Sequence, residues 1–234
     1  MDNGTMRTRQ SFDEELHQLE QRLLQFGAYV EGMLEQATRA LVGQDLNLAR
    51  QVVAADDRAD EMDLEIEHTC MRLLALQQPM ARDLRMIGTV MKIIVDVERI
   101  GDYSVDIAKA ALSLADAAYF KPLVDLPMMS ELVRGLLRCA LEALVKRDLD
   151  LARQCGGMDN AVDAMWKSLR AELEGIMQQH PEVVPQAVAL ILVTRYLERI
   201  ADHAVNIAER VTYIGTGHVE TLVRRHSGDA SEAT

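Results

Sequence analysis

One pair of carboxylates stands out because it occurs twice, 100 residues apart. Glu98 and Asp102 in the first half of the chain correspond to Glu198 and Asp202 in the second. Residues four apart lie on one face of a helix, where two like charges destabilise an isolated helix by about 0.2–0.5 kcal/mol. Carboxylates grouped in this way suit hard cations, and also iron and manganese. The repeated pairs therefore predict two cation sites.

Other oxygen-bearing side chains extend both pairs. One helical turn further on lie Asp106 in the first half and Asn206 in the second. Each half also carries an earlier Asp-x-x-x-Asp pair, and the four residues concerned are Asp56, Asp60, Asp159 and Asp163. If the helices that carry these pairs pack together, four carboxylates in each half could converge on one surface.

The positions of Glu98 and Glu198 favour a special role, because both fall where the spacing of apolar residues predicts a buried side chain. A buried carboxylate must be paired, protonated or bound to a metal, since an isolated buried charge is costly. The alternative interpretation is an ordinary ion-pair network, in which Arg99, Arg199 or an arginine of another helix neutralises these acids.

The elements that must position these acids are long helices. Apolar residues recur at steps of three and four, which is typical of amphipathic helices. A capping box at Ser11 and Glu14 predicts the start of the first helix, Gly43 its end, and Asp45 the cap of the second. Breaks are predicted at Pro79 and between residues 121 and 127. The predicted helices cover about 11–43, 45–76, 82–112, 130–146, 148–178 and 181–214.

The second half repeats the first. Residues 45–51 match residues 148–154 at an offset of 103, and residues 98–108 match residues 198–208 at an offset of 100. The sequence therefore predicts an all-α protein of six long helices, in two tandem repeats of an antiparallel three-helix bundle. The predicted limits are 11–120 and 121–215 for the two bundles, with flexible segments at 1–10 and 216–234.

Composition restricts the function further. The 234 residues carry a net charge of −12, with 49% hydrophobic and 4% aromatic residues, which excludes a disordered chain. The negative charge makes nucleic acid and anionic lipid poor partners and favours cations or a basic protein surface. Three separated cysteines without a CxxC motif predict unpaired thiols in a reducing compartment. The polar N-terminus and the absence of a long apolar run predict a cytoplasmic protein.

The residues described so far, together with residues 12–16 and 77–85, resemble the PhoU family of bacterial phosphate-uptake regulators. The most specific feature is the repeated Glu-Arg-Ile-x-Asp, and the resemblance covers about residues 10–215. It implies a cytoplasmic regulator, often a homodimer. Its implied protein partners are the ATPase of the high-affinity phosphate ABC transporter and the sensor histidine kinase of the phosphate response.

The resemblance also implies metal binding, in some family members as multinuclear iron clusters. We therefore expect iron foremost, with zinc, manganese, magnesium or calcium as alternatives. The implied ligands are Glu98, Asp102, Asp106, Glu198, Asp202, Asn206, Asp60 and Asp163.

The leading hypothesis is a non-enzymatic regulator of phosphate uptake and phosphate homeostasis with duplicated metal sites. The alternative is a carboxylate-bridged metalloenzyme, an oxidase or a phosphohydrolase. A single Glu-x-x-His, Glu65 to His68, argues against it because di-iron bundles use two such motifs. A third reading is a helical scaffold whose acids are ion-paired.

Overall fold

The computed structural model describes residues 3–76, 79–115 and 118–222, with side chains from residue 11 onward. These residues form seven α-helices and one short 3₁₀ helix, and no strand. In chain order the elements are α1 (Asn3–Gly43), α2 (Leu46–Ala54), α3 (Asp56–Leu76), α4 (Ala81–Ser113), α5 (Asp125–Lys146), α6 (Leu149–Gln179), the 3₁₀ helix (Pro181–Val183) and α7 (Val184–Thr216). Helices α1 to α4 form the first bundle and α5 to α7 the second, which confirms the predicted all-α fold of two three-helix bundles.

The first interhelical turn has the same structure in both bundles. Gln44 and Arg147, 103 residues apart, both adopt the left-handed conformation, with φ of 49° and 53°. The next residues, Asp45 and Asp148, each accept hydrogen bonds from two backbone N–H groups of the following helix. The predicted cap at Asp45 is confirmed, and each cap satisfies two of the N–H groups that have no partner inside their helix.

Two predicted helix starts are wrong. Helix α1 begins at Asn3, so Ser11 lies inside it and the predicted capping box marks no helix start. Ser and Glu three apart are also compatible with a helix interior, so the pattern alone does not require a start. Helix α5 begins at Asp125 rather than near Ser130, with Pro127 in its first turn. Proline is tolerated there because the first-turn N–H groups have no acceptor within the helix.

The middle helix of the first bundle is interrupted, where the sequence predicts one helix. The backbone N–H of Ala55 is shared between the carbonyl oxygens of Gln51 and Val52, and α3 starts at the next residue. The two segments together correspond to the single helix α6 of the second bundle. The two halves thus differ in the helix that carries the earlier Asp pair.

Helices α4 and α7 lie at the centre of the molecule, because each packs on its own bundle and both pack on each other. Fully buried Leu19, Leu23 and Phe26 on α1 represent the apolar side chains that line the interior. Each such side chain contributes roughly 1.5–3 kcal/mol by leaving water. This packing sets the orientation of the acidic residues on α4 and α7.

Helices α1 and α5 meet through charges of opposite sign at equivalent positions. Glu31 and Glu35 on α1 correspond, 103 residues on, to Arg134 and Arg138 on α5. Arg134 Nη2 lies 2.8 Å from Glu35 Oε2, and Arg138 Nη1 lies 2.6 Å from Glu31 Oε1. The reciprocal contacts relate the bundles by an approximate two-fold axis. Because the charges are reversed, the acidic surface of α1 attracts the basic surface of α5, whereas two copies of either surface would repel each other.

The prediction of three unpaired thiols is wrong for two of them. Cys139 on α5 and Cys155 on α6 form a disulfide, with their Cα atoms 5.9 Å apart. Cys70 is a free, buried cysteine, and burial raises the pKa of its thiol to about 12. The sequence could not indicate the pairing, since it depends on how α5 and α6 face each other.

Candidate functional site

Helices α3 and α4 bring the acids of the first bundle onto one surface, the first acidic face. Its residues are Asp56, Asp60, Asp63, Glu98, Asp102 and Asp106. Burial raises the pKa of Glu98, and the negative charge of Asp102 raises it further. Burial also raises the pKa of Asp56, with an added contribution from Asp60. These carboxylates therefore repel one another in the folded chain.

The second acidic face lies between α6 and α7. It consists of Asp159, Asp163, Glu198 and Asp202. Burial, followed by the charges of Asp163 and Asp202, raises the pKa of Asp159 to about 6. Burial and the charge of Asp202 raise the pKa of Glu198 to about 7. The predicted meeting of the two acidic pairs thus occurs in both bundles.

Glu198 is the most constrained of these carboxylates. The residue is 8% exposed, and its Oε1 accepts a 2.6 Å hydrogen bond from Arg195 Nη1. Its Oε2 is buried without a hydrogen-bond partner and lies 4.0 Å from Arg199 Nε. The prediction that this position is buried is confirmed. The corresponding Glu98 is more open, with 28% of its side chain exposed.

Arginines contact both repeated pairs, as the alternative interpretation anticipates. Arg99 Nη1 lies 2.8 Å from Asp102 Oδ2, and its Nε lies 3.5 Å from Glu98 Oε2. Arg199 Nη1 lies 3.2 Å from Asp202 Oδ2. These arginines are about half exposed, so their pairs contribute little stability.

The two outermost predicted ligands have different surroundings. Asp106 lines a groove of the first acidic face with Asp56 and Asp102, and its Oδ1 lies 3.7 Å from Lys109 Nζ. Asn206 lies at the seam between α4 and α7, where its amide donates a 3.1 Å hydrogen bond to Asp96 Oδ1. The structure therefore groups Asp106 with the acids and directs Asn206 towards the other bundle.

His203, next to Asp202, takes part in the same seam. Its Nδ1 lies 2.9 Å from Asp96 Oδ1. The repeat relates His203 to Tyr103 and Asp96 to Tyr196. Tyr103 stacks on Tyr196 with ring centroids 5.8 Å apart. The two contacts adjoin, because the rings of Tyr103 and His203 have centroids 5.9 Å apart, so a polar and an aromatic contact together join the two central helices.

Sequence reasoning missed two residues of the second acidic face. Arg195 and Trp166 were not singled out, yet the guanidinium of Arg195 lies 5.2 Å from the Trp166 ring centroid and also bonds Glu198. The three-residue spacing of Arg195 and Glu198 was a usable signal, because such residues are neighbours on a helix. The contact with Trp166 joins α6 to α7 and carries no local signal.

The carboxylates of each face are neighbours without forming a finished coordination shell. Among the residues that the structure describes, no three His, Cys, Asp or Glu side chains are grouped closely enough to hold a metal ion. The donor set still fits a hard cation, since it is all oxygen. The buried, unpartnered Oε2 of Glu198 and a similar Oδ1 of Asp63 are oxygens that a cation could satisfy.

A duplicated three-helix bundle with an acidic face in each repeat defines a class of helical proteins, and comparison identifies the family. The PhoU domain model matches residues 23–111 and again residues 126–211. The chain belongs to the PhoU family.

Two curated relatives cover nearly the whole chain. One is a "Phosphate-specific transport system accessory protein PhoU homolog" of Clostridium acetobutylicum, 37% identical over 90% of this chain and 96% of the relative. Another, with the same name, comes from Pseudomonas aeruginosa and is 36% identical over 92% of this chain and 90% of its own.

Solved structures agree with the fold. The crystal structure of PhoU from Pseudomonas aeruginosa has a TM-score of 0.84 at 36% identity, covering 88% of this chain and 100% of that one. The phosphate transport system regulatory protein PhoU from Streptococcus pneumoniae also has a TM-score of 0.84, at 33% identity, covering 89% and 99%. Within the described residues, none of the helices has the length and apolarity needed to cross a bilayer.

Proposed function

We propose that this chain is a non-enzymatic regulator of phosphate uptake whose two acidic faces bind metal ions. The observation that carries the proposal is the match to the PhoU domain in both repeats, with relatives named as accessory proteins of the phosphate-specific transport system. Its proposed partners are the ATPase of the phosphate ABC transporter and the sensor histidine kinase of the phosphate response. It acts in the cytoplasm as a homodimer.

Iron is the first candidate metal, with zinc, manganese, magnesium and calcium as alternatives. In the first bundle Glu98, Asp102 and Asp60 would hold it, with Asp56 and Asp106 beside them. In the second, the corresponding residues are Glu198, Asp202, Asp163 and Asp159. All-oxygen donors and the unpartnered Oε2 of Glu198 support this assignment.

A bound cation supplies positive charge at a place where carboxylates repel one another. The carboxylates of each face come from two different helices, α3 and α4 in the first bundle and α6 and α7 in the second. A cation bound by carboxylates of both helices would fix the position of one helix against the other. The surface that the protein presents to the transporter or the kinase depends on that position.

The metal part is tested by thermal unfolding of the full chain after chelator treatment, with and without added Mn²⁺ or anaerobic Fe²⁺. Binding to the native state raises the melting temperature, by linkage. We expect the rise in wild type and its loss in the variant Glu98→Gln, Asp102→Asn, Glu198→Gln, Asp202→Asn. The control variant Glu142→Gln, Asp150→Asn removes two exposed acids outside both faces and keeps the rise. An unchanged melting temperature in wild type would overturn metal binding.

The regulatory part is tested by deleting the gene and measuring phosphate-regulated expression in the source organism at high phosphate. We expect expression to escape repression in the deletion strain and to return to normal with the wild-type chain. Tagged protein should also co-purify with the transporter ATPase. Unaltered expression in the deletion strain would contradict the proposal.

A further inference from the structure

The second acidic face contains a positive charge of its own, held against its most buried carboxylate. Arg195 lies one turn before Glu198 on α7 and donates from Nη1 to Oε1 at 2.6 Å. A charge-assisted hydrogen bond of this length is stronger than one between neutral groups. One of the two oxygens of Glu198 is therefore already taken, and the other has no hydrogen-bond partner.

Trp166 on α6 holds the guanidinium of Arg195 in place. The guanidinium carbon of Arg195 lies 5.2 Å from the ring centroid of Trp166, within the range of a cation–π contact. The side chain of Arg195 is about one-third exposed, so it can leave Glu198 for solvent. Its departure would break one hydrogen bond and one ring contact.

The first acidic face has neither of these residues. The position equivalent to Arg195 is Val95, which is exposed, and the position equivalent to Trp166 is Asp63. Within the described chain, the ion pair of Glu98 is with Arg99, whose Nε lies 3.5 Å from Glu98 Oε2. The second face has the same arginine, since Arg199 Nε lies 4.0 Å from Glu198 Oε2. The two faces therefore differ by one positive charge at position 95/195 and by two negative charges, at positions 63/166 and 106/206.

We infer that Arg195 is an internal counter-cation that competes with a metal ion for Glu198, so that the second acidic face binds a divalent cation more weakly than the first. The inference rests on the metal binding proposed above and deepens it. A cation that uses both oxygens of Glu198 must displace Arg195 and is repelled by it until it leaves. The two faces then fill at different metal concentrations, which gives the protein a graded response.

The test is an exchange of the two side chains in the full-length, chelator-treated chain, with Mn²⁺ affinity measured by titration calorimetry. The background Glu98→Gln, Asp102→Asn leaves the second face, and the background Glu198→Gln, Asp202→Asn leaves the first. We expect Arg195→Val to tighten the Mn²⁺ Kd of the second face about tenfold, and Val95→Arg to weaken that of the first by a similar factor. Lys146→Val, which removes an exposed positive charge paired with Glu142, should leave either Kd within twofold.

Trp166 provides an independent readout because it is the single tryptophan of the chain. Mn²⁺ binding at the second face should shift the wavelength of its emission, and Arg195→Val should abolish that shift. If both faces bind Mn²⁺ and Arg195→Val changes the second Kd by less than twofold, the inference is overturned while metal binding stands. If neither face binds Mn²⁺ or Fe²⁺, the proposed metal function fails, and the inference fails with it.

Discussion

The two acidic faces occupy equivalent places in two copies of one bundle, yet their surroundings differ. The first face is open, and Asp63 adds a further acid that the second lacks. The second face is more buried and carries Arg195 and Trp166. Duplication thus kept the acidic pairs and let their neighbours diverge. Under the metal binding proposed above, residues around the repeated motif, rather than the motif itself, would set how each copy responds to a cation.

The two bundles also differ in a covalent link between helices, because only the second contains a disulfide within the described residues. Removing this disulfide should have the largest effect on stability of the changes considered below. Cys139 and Cys155 link α5 to α6, whereas the equivalent positions in the first bundle are Gln36 and Val52. For a loop of this length, the chain-entropy model predicts that the link contributes about 3 kcal/mol. We expect Cys139→Ser, Cys155→Ser to lower the free energy of unfolding by about that amount in urea titrations. A reductant should destabilise wild type and leave the double variant unchanged.

Burial of Glu198 predicts that the stability of the folded chain depends on pH. The pKa of Glu198 is about 7 in the folded chain against an ordinary value of 4.5. Between these values the unfolded chain releases the proton and the folded chain keeps it, so stability falls as the pH rises. Above about pH 7 the loss is complete, and below about pH 4.5 it is absent.

Glu198→Gln removes this loss, because glutamine does not ionise. In metal-free protein at pH 8 we expect the variant to be about 1–3 kcal/mol more stable than wild type, with no gain at pH 4. Glu98→Gln, at the more exposed position, should gain less. Urea titrations across the pH range measure both variants. An equal gain for the two would mean that the faces are equally buried.

The end of the described chain lies against the second bundle, and Gly156 makes this contact possible. Leu222 N donates to Glu209 Oε1 at 2.8 Å, and a Cβ on Gly156 would lie 2.8 Å from Leu222 Cβ and 3.1 Å from its carbonyl oxygen. The equivalent residue in the first bundle is Val53.

Gly156→Ala should therefore displace the segment around Leu222. We expect a loss of about 1 kcal/mol, reduced by the better helix propensity of alanine, and faster amide exchange at Leu222. Gly157→Ala is the matched control, because its added Cβ would meet no other part of the described chain within 4 Å, apart from its sequence neighbours and the backbone of its own helix. Protection at Leu222 that stays equal in the two variants would contradict the contact.

The smallest effect concerns the turn that the bundles share. Gln44 and Arg147 both hold left-handed backbone conformations, which glycine adopts without steric cost. We expect Gln44→Gly and Arg147→Gly to change the free energy of unfolding by less than about 0.5 kcal/mol each. The relief of backbone strain is offset by greater freedom when unfolded and by loss of the Gln44 hydrogen bond to the Leu114 carbonyl or of the Arg147–Glu20 ion pair. Thermal and urea unfolding measure the change. A loss above 1 kcal/mol in one variant alone would show that the two turns are not equivalent.

Much of the fold could be predicted from the sequence because its signals are local. The apolar spacing predicted the helices, Asp45 was recognised as a cap, and the two matching segments indicated the repeat. The start of α1 was wrong because a Ser-x-x-Glu pattern is equally at home inside a helix. The predicted start of α5 was wrong because a proline indicates a helix break, whereas Pro127 lies in the first turn, where proline is tolerated.

The sequence by itself determined that this protein is a duplicated helical bundle with two repeated sets of acids, since helical periodicity and residue spacing are properties of short segments. Only the tertiary structure decided which neighbours those acids have. Arg195 meets Trp166, Cys139 meets Cys155, and Asn206 turns to Asp96, each across two helices. Such contacts depend on the rotation and register of packed helices, which the side chains of the whole interior fix together. The likeness of the two faces was therefore visible in the sequence, as was the exchange of Asp106 for Asn206, whereas the contacts that distinguish the faces were visible only in the fold.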